Sequence, residues 1–463
     1  MIVHASLRRT HNILVKLLCQ WLRVGINHHT CRRPPRQSTS SLLATIGLLL
    51  CGSGVCIAQG SFEDPGFHFD GSYRTRYESK QDFNFDGGDQ TYLLTQLRLD
   101  FGYRPNERSN VFVQLQDARI FGESMTGAPP INADAVPNIY VDHLDFHQAY
   151  FEYDFGSTAL RVGRQKFNLA DRRLVASLEW VNTARVHDAV SFSFGDPGAR
   201  RIELFASKLV AVDPHHLNDQ STVGNRYFDS DFHGAFVTEP ELLSGQLEYW
   251  YFYRGNGDFD DRVSTIGARL LRPLAAWQLD LQSAYQFGDF DGLDHSAYML
   301  HVGVGRTFDS GRWGVAYNLA SGDKDPNDGD HGTFDNLYPL NHPYYGIMDL
   351  FSLQNMHNLE LIYARMLGER LRLQVGWQSF WLNEEDTDAW YGASQAPLRR
   401  ADAAVDSHVG NELDITASVP LAAERFTLVV GVSRFFGGRY LRDTGPDGDA
   451  NFFFVQLSYS PYL

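Results

Sequence analysis

Leu97-Arg98-Leu99-Asp100-Phe101-Gly102-Tyr103 places an apolar side chain at every odd position and a polar or small one between. A period of two marks a β-strand, because successive side chains point to opposite faces of a sheet. The pattern recurs along the chain. Val111, Val113 and Leu115 alternate with Gln114 and Gln116, and Leu247, Tyr249, Tyr251 and Tyr253 enclose Glu248 and Arg254. Leu279, Leu281, Tyr285 and Phe287 flank Asp280, Gln282 and Gln286, while Leu371, Leu373, Val375, Trp377 and Trp381 flank Arg372, Gln374 and Gln378. Leu413, Ile415 and Ala417 alternate with Glu412, Asp414 and Thr416, and Phe426, Leu428, Val430 and Val432 face away from Thr427 and Ser433. The apolar face is broad and studded with Tyr, Phe and Trp, while the opposite face carries Arg, Glu, Asp and Gln. That is the dyad pattern of a transmembrane antiparallel β-barrel, apolar toward lipid and polar toward the lumen. It also accounts for a mean hydropathy of −0.31 with 43% apolar and 13% aromatic residues, since half of each strand faces water.

The end of the chain points the same way. Phe453, Val455, Leu457, Tyr459, Pro461 and Leu463 alternate to the last residue, and a long amphipathic terminal strand resembles the recognition signal read by the barrel assembly machinery. It departs from that signal in ending on Leu463 instead of Phe, and in carrying Pro461, which removes a ladder donor. Alternating segments number about 16–18, with long polar connections on one side, as in barrels with short turns at one end and long loops at the other. A barrel of that size leaves an aqueous channel unless loops fill it.

Residues 1–58 contain no Asp or Glu, seven Lys or Arg, and all four cysteines of the 463-residue chain. Arg32, Arg33 and Arg36 precede an apolar stretch from Leu42 to Leu50, followed by the small-residue exit Cys56-Ile57-Ala58. This order reads as a secretory signal peptide, with cleavage expected after Ala58. Residues 59–463 then form one all-β domain without cysteine, which excludes a disulfide scaffold, a thiolate metal site and a thiol enzyme. The formal net charge of the whole chain is −16, and its acids all lie beyond the leader, which argues against a nucleic-acid partner.

Two segments carry more than architecture. In Leu160-Arg161-Val162-Gly163-Arg164-Gln165-Lys166-Phe167, parity turns Arg164 outward with Val162, at a cost of about 2–4 kcal/mol at the bilayer midplane. A bulge at Gly163 would re-aim Arg164 into the lumen; otherwise it is a rim arginine. The second segment, Ala320 to Asp330, sets Asp323, Asp325, Asp328 and Asp330 around Gly329, an oxygen-donor loop that could wrap Ca²⁺, or else an acidic solvated loop tip. No other cofactor is called for. His215-His216 and His342 have Asp or Asn nearby but no serine fixed beside them, so no catalytic residue is assigned and the chain does not read as an enzyme.

Arg164-Gln165, Trp180, Arg185 and Asp188 together resemble the alginate export family of outer-membrane porins. So do Ser321-Gly322-Asp323 with Phe334, Pro339, His342, Tyr345, Gly346 and Asp349, and the end from Gly410-Asn411-Glu412-Leu413-Asp414 through Phe435-Phe436-Gly438. The resemblance spans residues 67–463 and implies an 18-stranded barrel in a Gram-negative outer membrane, passing an alginate-like anionic polysaccharide through an Arg-lined constriction. Parity then places Arg74 and Arg76 inward between Tyr73 and Tyr77, with Arg98, Arg269 and Arg372 also inward. With Arg164, Lys166 and Arg185 these are the expected pore residues, arginine's fork being suited to carboxylates. They could equally be ion-pair networks that stiffen the wall. The expected partners are outer-membrane lipid, the assembly machinery, an anionic polysaccharide or oligosaccharide, and periplasmic export components. A porin for small sugars or acids, or a plugged structural barrel, are the alternatives.

Overall fold

The computed structural model describes residues 65–460 apart from 129, 196–197, 219–223, 402, 404 and 423–424. The leader, its cleavage after Ala58, and Pro461 and Leu463 lie outside the described residues. Eighteen antiparallel strands close into a barrel. They are β1 (Gly66–Gln81), β2 (Asp89–Asn106), β3 (Ser109–Thr126), β4 (Asp142–Asp154), β5 (Thr158–Gln165), β6 (His187–Phe194), β7 (Arg201–Leu209), β8 (Asp231–Leu242) and β9 (Gly245–Asn256). There follow β10 (Asp261–Leu274), β11 (Trp277–Phe290), β12 (Leu293–Phe308), β13 (Gly311–Ala320), β14 (Met356–Leu367), β15 (Leu371–Leu382), β16 (His408–Leu421), β17 (Phe426–Gly437) and β18 (Ala450–Tyr459). Each strand pairs with its sequence neighbours, and β18 closes on β1 with Tyr73 opposite Tyr459. Closure satisfies every strand edge, which a hydrocarbon environment demands.

Parity explains the outside. Leu97, Phe101 and Tyr103 are exposed, as are Tyr249, Tyr251, Tyr285 and Phe287, while Gln96, Arg98, Glu248 and Gln286 between them are buried. Connections at one end are short, the tightest being 107–108, 243–244, 275–276 and 309–310. At the other end run 127–141, 166–186, 210–230, 321–355, 383–407 and 438–449.

The interior departs from a uniformly polar lumen. The inward face of β7–β9 carries Phe205, Phe232, Phe236, Trp250 and Phe252, all buried. Segments 166–186 and 321–355 turn inward and bury Leu174, Val175, Phe334, Leu337, Tyr338, Phe351 and Leu353 among the barrel's inward side chains. Phe351 stacks on Phe380 of β15 at 3.7 Å. The two segments bond to each other: the Ala176 N–H donates to the Tyr338 carbonyl at 2.8 Å, and the Tyr338 N–H to that of Leu174 at 2.9 Å. The aromatic lumen wall is thus a bed for loops, and the loops narrow the passage.

The bulge expected at Gly163 is absent. Pairing runs unshifted through β5, with Val162 opposite Phe151, Gly163 opposite Tyr150 and Arg164 opposite Ala149. The irregularity falls on β4, where Leu115 pairs with Phe146 but Gln114 with Gln148. Gly163 instead meets a local need: its φ is +121°, and a Cβ there would collide with the Ala149 carbonyl oxygen. Gly163→Ala is expected to destabilise the barrel by about 1–3 kcal/mol. The urea midpoint of the refolded protein measures this, and an unchanged midpoint would refute it.

Candidate functional site

Continuous parity leaves Arg164 on the outer face with exposed Val162 and Val190. It is a rim residue, not a lumen residue. Its Nε meets Asp188 Oδ1 at 2.8 Å, and its Nη2 donates to the Asn218 carbonyl in the 210–230 connection at 2.8 Å. Pairing with Asp188 offsets the cost of that outward charge.

The other basic residues of the N-terminal third converge on one stretch of the inward 166–186 segment. Arg74 donates through Nη1 to the Glu179 carbonyl at 2.6 Å and through Nη2 to the Val181 carbonyl at 3.0 Å. Arg76 pairs with Glu78 at 2.6 Å, donates to the Trp180 carbonyl at 2.8 Å, and lies over the Trp180 ring at 3.7 Å. Arg98 and Lys166 grip the two oxygens of Glu179, each at 2.7 Å. Burial alone would raise the Glu179 carboxyl, but Arg98 and Lys166 hold it well below the usual carboxylate range. In this cluster four cations, Arg74, Arg76, Arg98 and Lys166, surround the two carboxylates Glu78 and Glu179 although the chain is acidic.

The opposite wall is balanced. Arg269 forks onto Asp280 at 2.8 and 2.7 Å and reaches Glu248 at 3.4 Å. Arg372 donates to Gln374 at 3.4 Å. Asp171 and Arg173 pair at 3.0 Å beneath this wall, and Arg173 Nη1 also donates to the Tyr345 hydroxyl and to Asn318 Oδ1, each at 3.0 Å. Burial raises the Asp171 carboxyl, yet Arg173 and Arg269 carry it down to about 2.

A deeper anchor sits at Arg254 on β9. Its Nε donates to Asp335 Oδ2 at 2.8 Å and its Nη1 to Asp261 Oδ2 at 2.7 Å, with all three side chains fully buried. Parity already turned Arg254 inward. Its partner Asp335, 81 residues away in an irregular segment, carried no signal in the sequence.

The acidic loop does not assemble the expected Ca²⁺ site. Asp323, Asp325 and Asp328 instead accept from backbone N–H groups of Asp325, Asn327 and Asp330, at 3.3, 3.1 and 2.9 Å. Among the described residues no group of three or more His, Cys, Asp or Glu is placed to hold a metal ion.

Beside Asp330, His331 closes the segment's tip against β12, its Nδ1 2.9 Å from His295 Nδ1 and its ring stacked on Phe290 at 4.1 Å. Burial pushes His331 down to about 4. A histidine so depressed contributes fully above its unfolded value near 6.5, and that contribution is lost as pH falls toward 4. Going from pH 7 to 5 is expected to cost the docked tip about 2 kcal/mol. Single-channel recordings should show more frequent conductance fluctuations at pH 5, and His331→Gln should reduce the difference, His295 remaining in the same contact. Equal responses of both proteins would exclude His331 as the cause.

The closed 18-stranded barrel is matched by the comparisons with known proteins. The model of the family described as alginate export matches residues 67–455. The chain belongs to the alginate export family. Solved structures share the fold. Outer membrane protein OpdK of Pseudomonas aeruginosa matches with a TM-score of 0.59 at 11% identity, over 86% of this chain and 99% of its own. OprD of the same organism matches with 0.56 at 12%, over 87% and 95%, and OccK3 (OpdO) with 0.56 at 13%, over 85% and 95%. No curated protein sequence matches the chain. This alginate export family member is therefore an outer-membrane channel, a multi-pass β-barrel.

Proposed function

We propose that the channel passes an anionic polysaccharide or oligosaccharide, alginate-like in its carboxylates, by passive diffusion, and that it is not an enzyme. The observation that carries this reading is the gathering of Arg74, Arg76, Arg98 and Lys166 around Glu78 and Glu179 at the inward segment. Low-dielectric walls focus such a local field, so the acidic chain as a whole does not oppose anion passage. Outer-membrane lipid surrounds the barrel, the terminal strand is the feature for the assembly machinery, and periplasmic export components would supply the polymer. The expected result in planar bilayers is anion-selective conductance that falls on addition of polyuronate. Cation selectivity without block would reject it.

The inward connections favour one alternative, a channel for small sugars or acids, because they narrow the lumen. That reading expects block by monomers and none by polymer. A plugged structural barrel expects no conductance at all.

A further inference from the structure

The long-loop end holds a cavity of about 520 Å³ between β1, β2 and six connections. Cavities of about 300–1,000 Å³ with apolar walls and a few converging polar groups are the usual form of small-molecule sites. Here Ile139, Leu178, Val212, Phe228 and Leu398 provide apolar wall. Arg185 also lines it. Its Nη1 donates to the carbonyls of Ala176 and Pro339, both at 3.2 Å, and no carboxylate pairs with it among the described residues. Burial alone lowers it to about 10, with Tyr338 acting against that. Arg98, Arg173, Arg254 and Arg269 each have a carboxylate, whereas Arg185, like Arg74, meets only carbonyls.

Three other lining residues hold buried polar atoms without hydrogen-bond partners: Asn182 Oδ1, His342 Nε2 and Gln395 Oε1. Leaving such an atom unpaired is costly. All three are acceptors in the neutral protein, since His342 Nδ1 faces Asp349 Oδ2 at 3.0 Å and so carries the proton. Three acceptors and one uncompensated guanidinium around apolar walls ask for a ligand with hydroxyls, one carboxylate and a hydrophobic face.

We propose that this cavity binds a ring-bearing hydroxycarboxylate, its carboxylate on Arg185 and its hydroxyls on Asn182, His342 and Gln395. The site rests on the anion-channel reading and adjoins the basic cluster, since Arg76, Glu78 and Trp180 line the same cavity and Trp180 stacks on His342 at 3.6 Å. Its ligand is either a free ring acid or the terminal uronate unit of a chain.

Calorimetric titration of the detergent-purified full chain tests it, with 4-hydroxybenzoate, galacturonate and oligogalacturonate against neutral 4-hydroxybenzamide and galactose. The carboxylates are expected to bind at least tenfold more tightly than their neutral counterparts. Preference for 4-hydroxybenzoate identifies a free acid as the source, and preference for galacturonate and its oligomer identifies a chain end. Arg185→Gln should weaken binding at least tenfold. Ile139→Trp, a change at an exposed position that fills the cavity without touching Arg185, should do the same if Arg185→Gln fails to fold. Both proteins are checked for the mobility shift on boiling that folded barrels show. Equal affinity for neutral ligands, or either folded variant binding like the unmodified chain, overturns the site. Loss of anion selectivity in the unmodified channel would overturn the broader reading instead.

Discussion

Arg254→Met is expected to cost the barrel about 3–5 kcal/mol, because it leaves the buried Asp335 carboxylate without its cation and takes one of two from Asp261. Asp335 and Asp261 are both fully buried, and Asp261 retains only the partly exposed Arg226. The unpaired charge is the source of the loss; the net worth of the ion pair is much smaller. Asp335 belongs to the inward 321–355 segment, so the same substitution should loosen that segment and raise single-channel conductance. The double variant Arg254→Met with Asp335→Leu should recover much of the stability, since it removes both the cation and the carboxylate facing it. Guanidinium unfolding and bilayer recordings on the same preparations give both readouts. A loss below about 1 kcal/mol with unchanged conductance would mean that these charges are hydrated and the segment is held by its apolar contacts alone.

The second large effect concerns selectivity, and it has opposite signs for two neighbours. Glu179 offsets part of the positive charge of Arg98 and Lys166, which it meets at 2.7 Å each. Glu179→Gln should therefore increase the preference for anions, and Arg98→Gln should decrease it. A change of ~1.4 kcal/mol in the free energy of an ion at this point alters its partition tenfold. Reversal potentials under a salt gradient read this directly. The shifts should shrink in 1 M salt, where the Debye length is about 3 Å, compared with about 10 Å at 0.1 M. Shifts of the same sign for both variants would show that they act by displacing the inward segment and not through charge.

The wall of the barrel could be read strand by strand. Tyr73, Arg74, Arg76 and Tyr77 needed only their parity, and so did Arg98, Arg254 and Arg269. Alternation failed where a conformation had to be inferred. Arg164 drew a bulge to Gly163 because an outward charge costs energy in lipid, but the residue sits at the rim, where pairing with Asp188 offsets that cost. The four Asp side chains from 323 to 330 suggested a cation, yet backbone N–H groups already occupy three of them. Spacing along a loop does not say which way its carboxylates turn.

The period-two pattern is a property of each strand alone, so the amino-acid order was enough to specify a lipid-facing sheet, its polar inner face and a channel-sized closure. The fate of the connections was of another kind. Arg74 meets the Glu179 carbonyl across 105 positions of chain, and Arg254 meets Asp335 across 81. Irregular segments have no period to betray their partners, and only the closed barrel brings such distant groups within bonding range. Whether a lumen arginine faces water, a carboxylate or a folded-in loop was therefore decided by the three-dimensional arrangement.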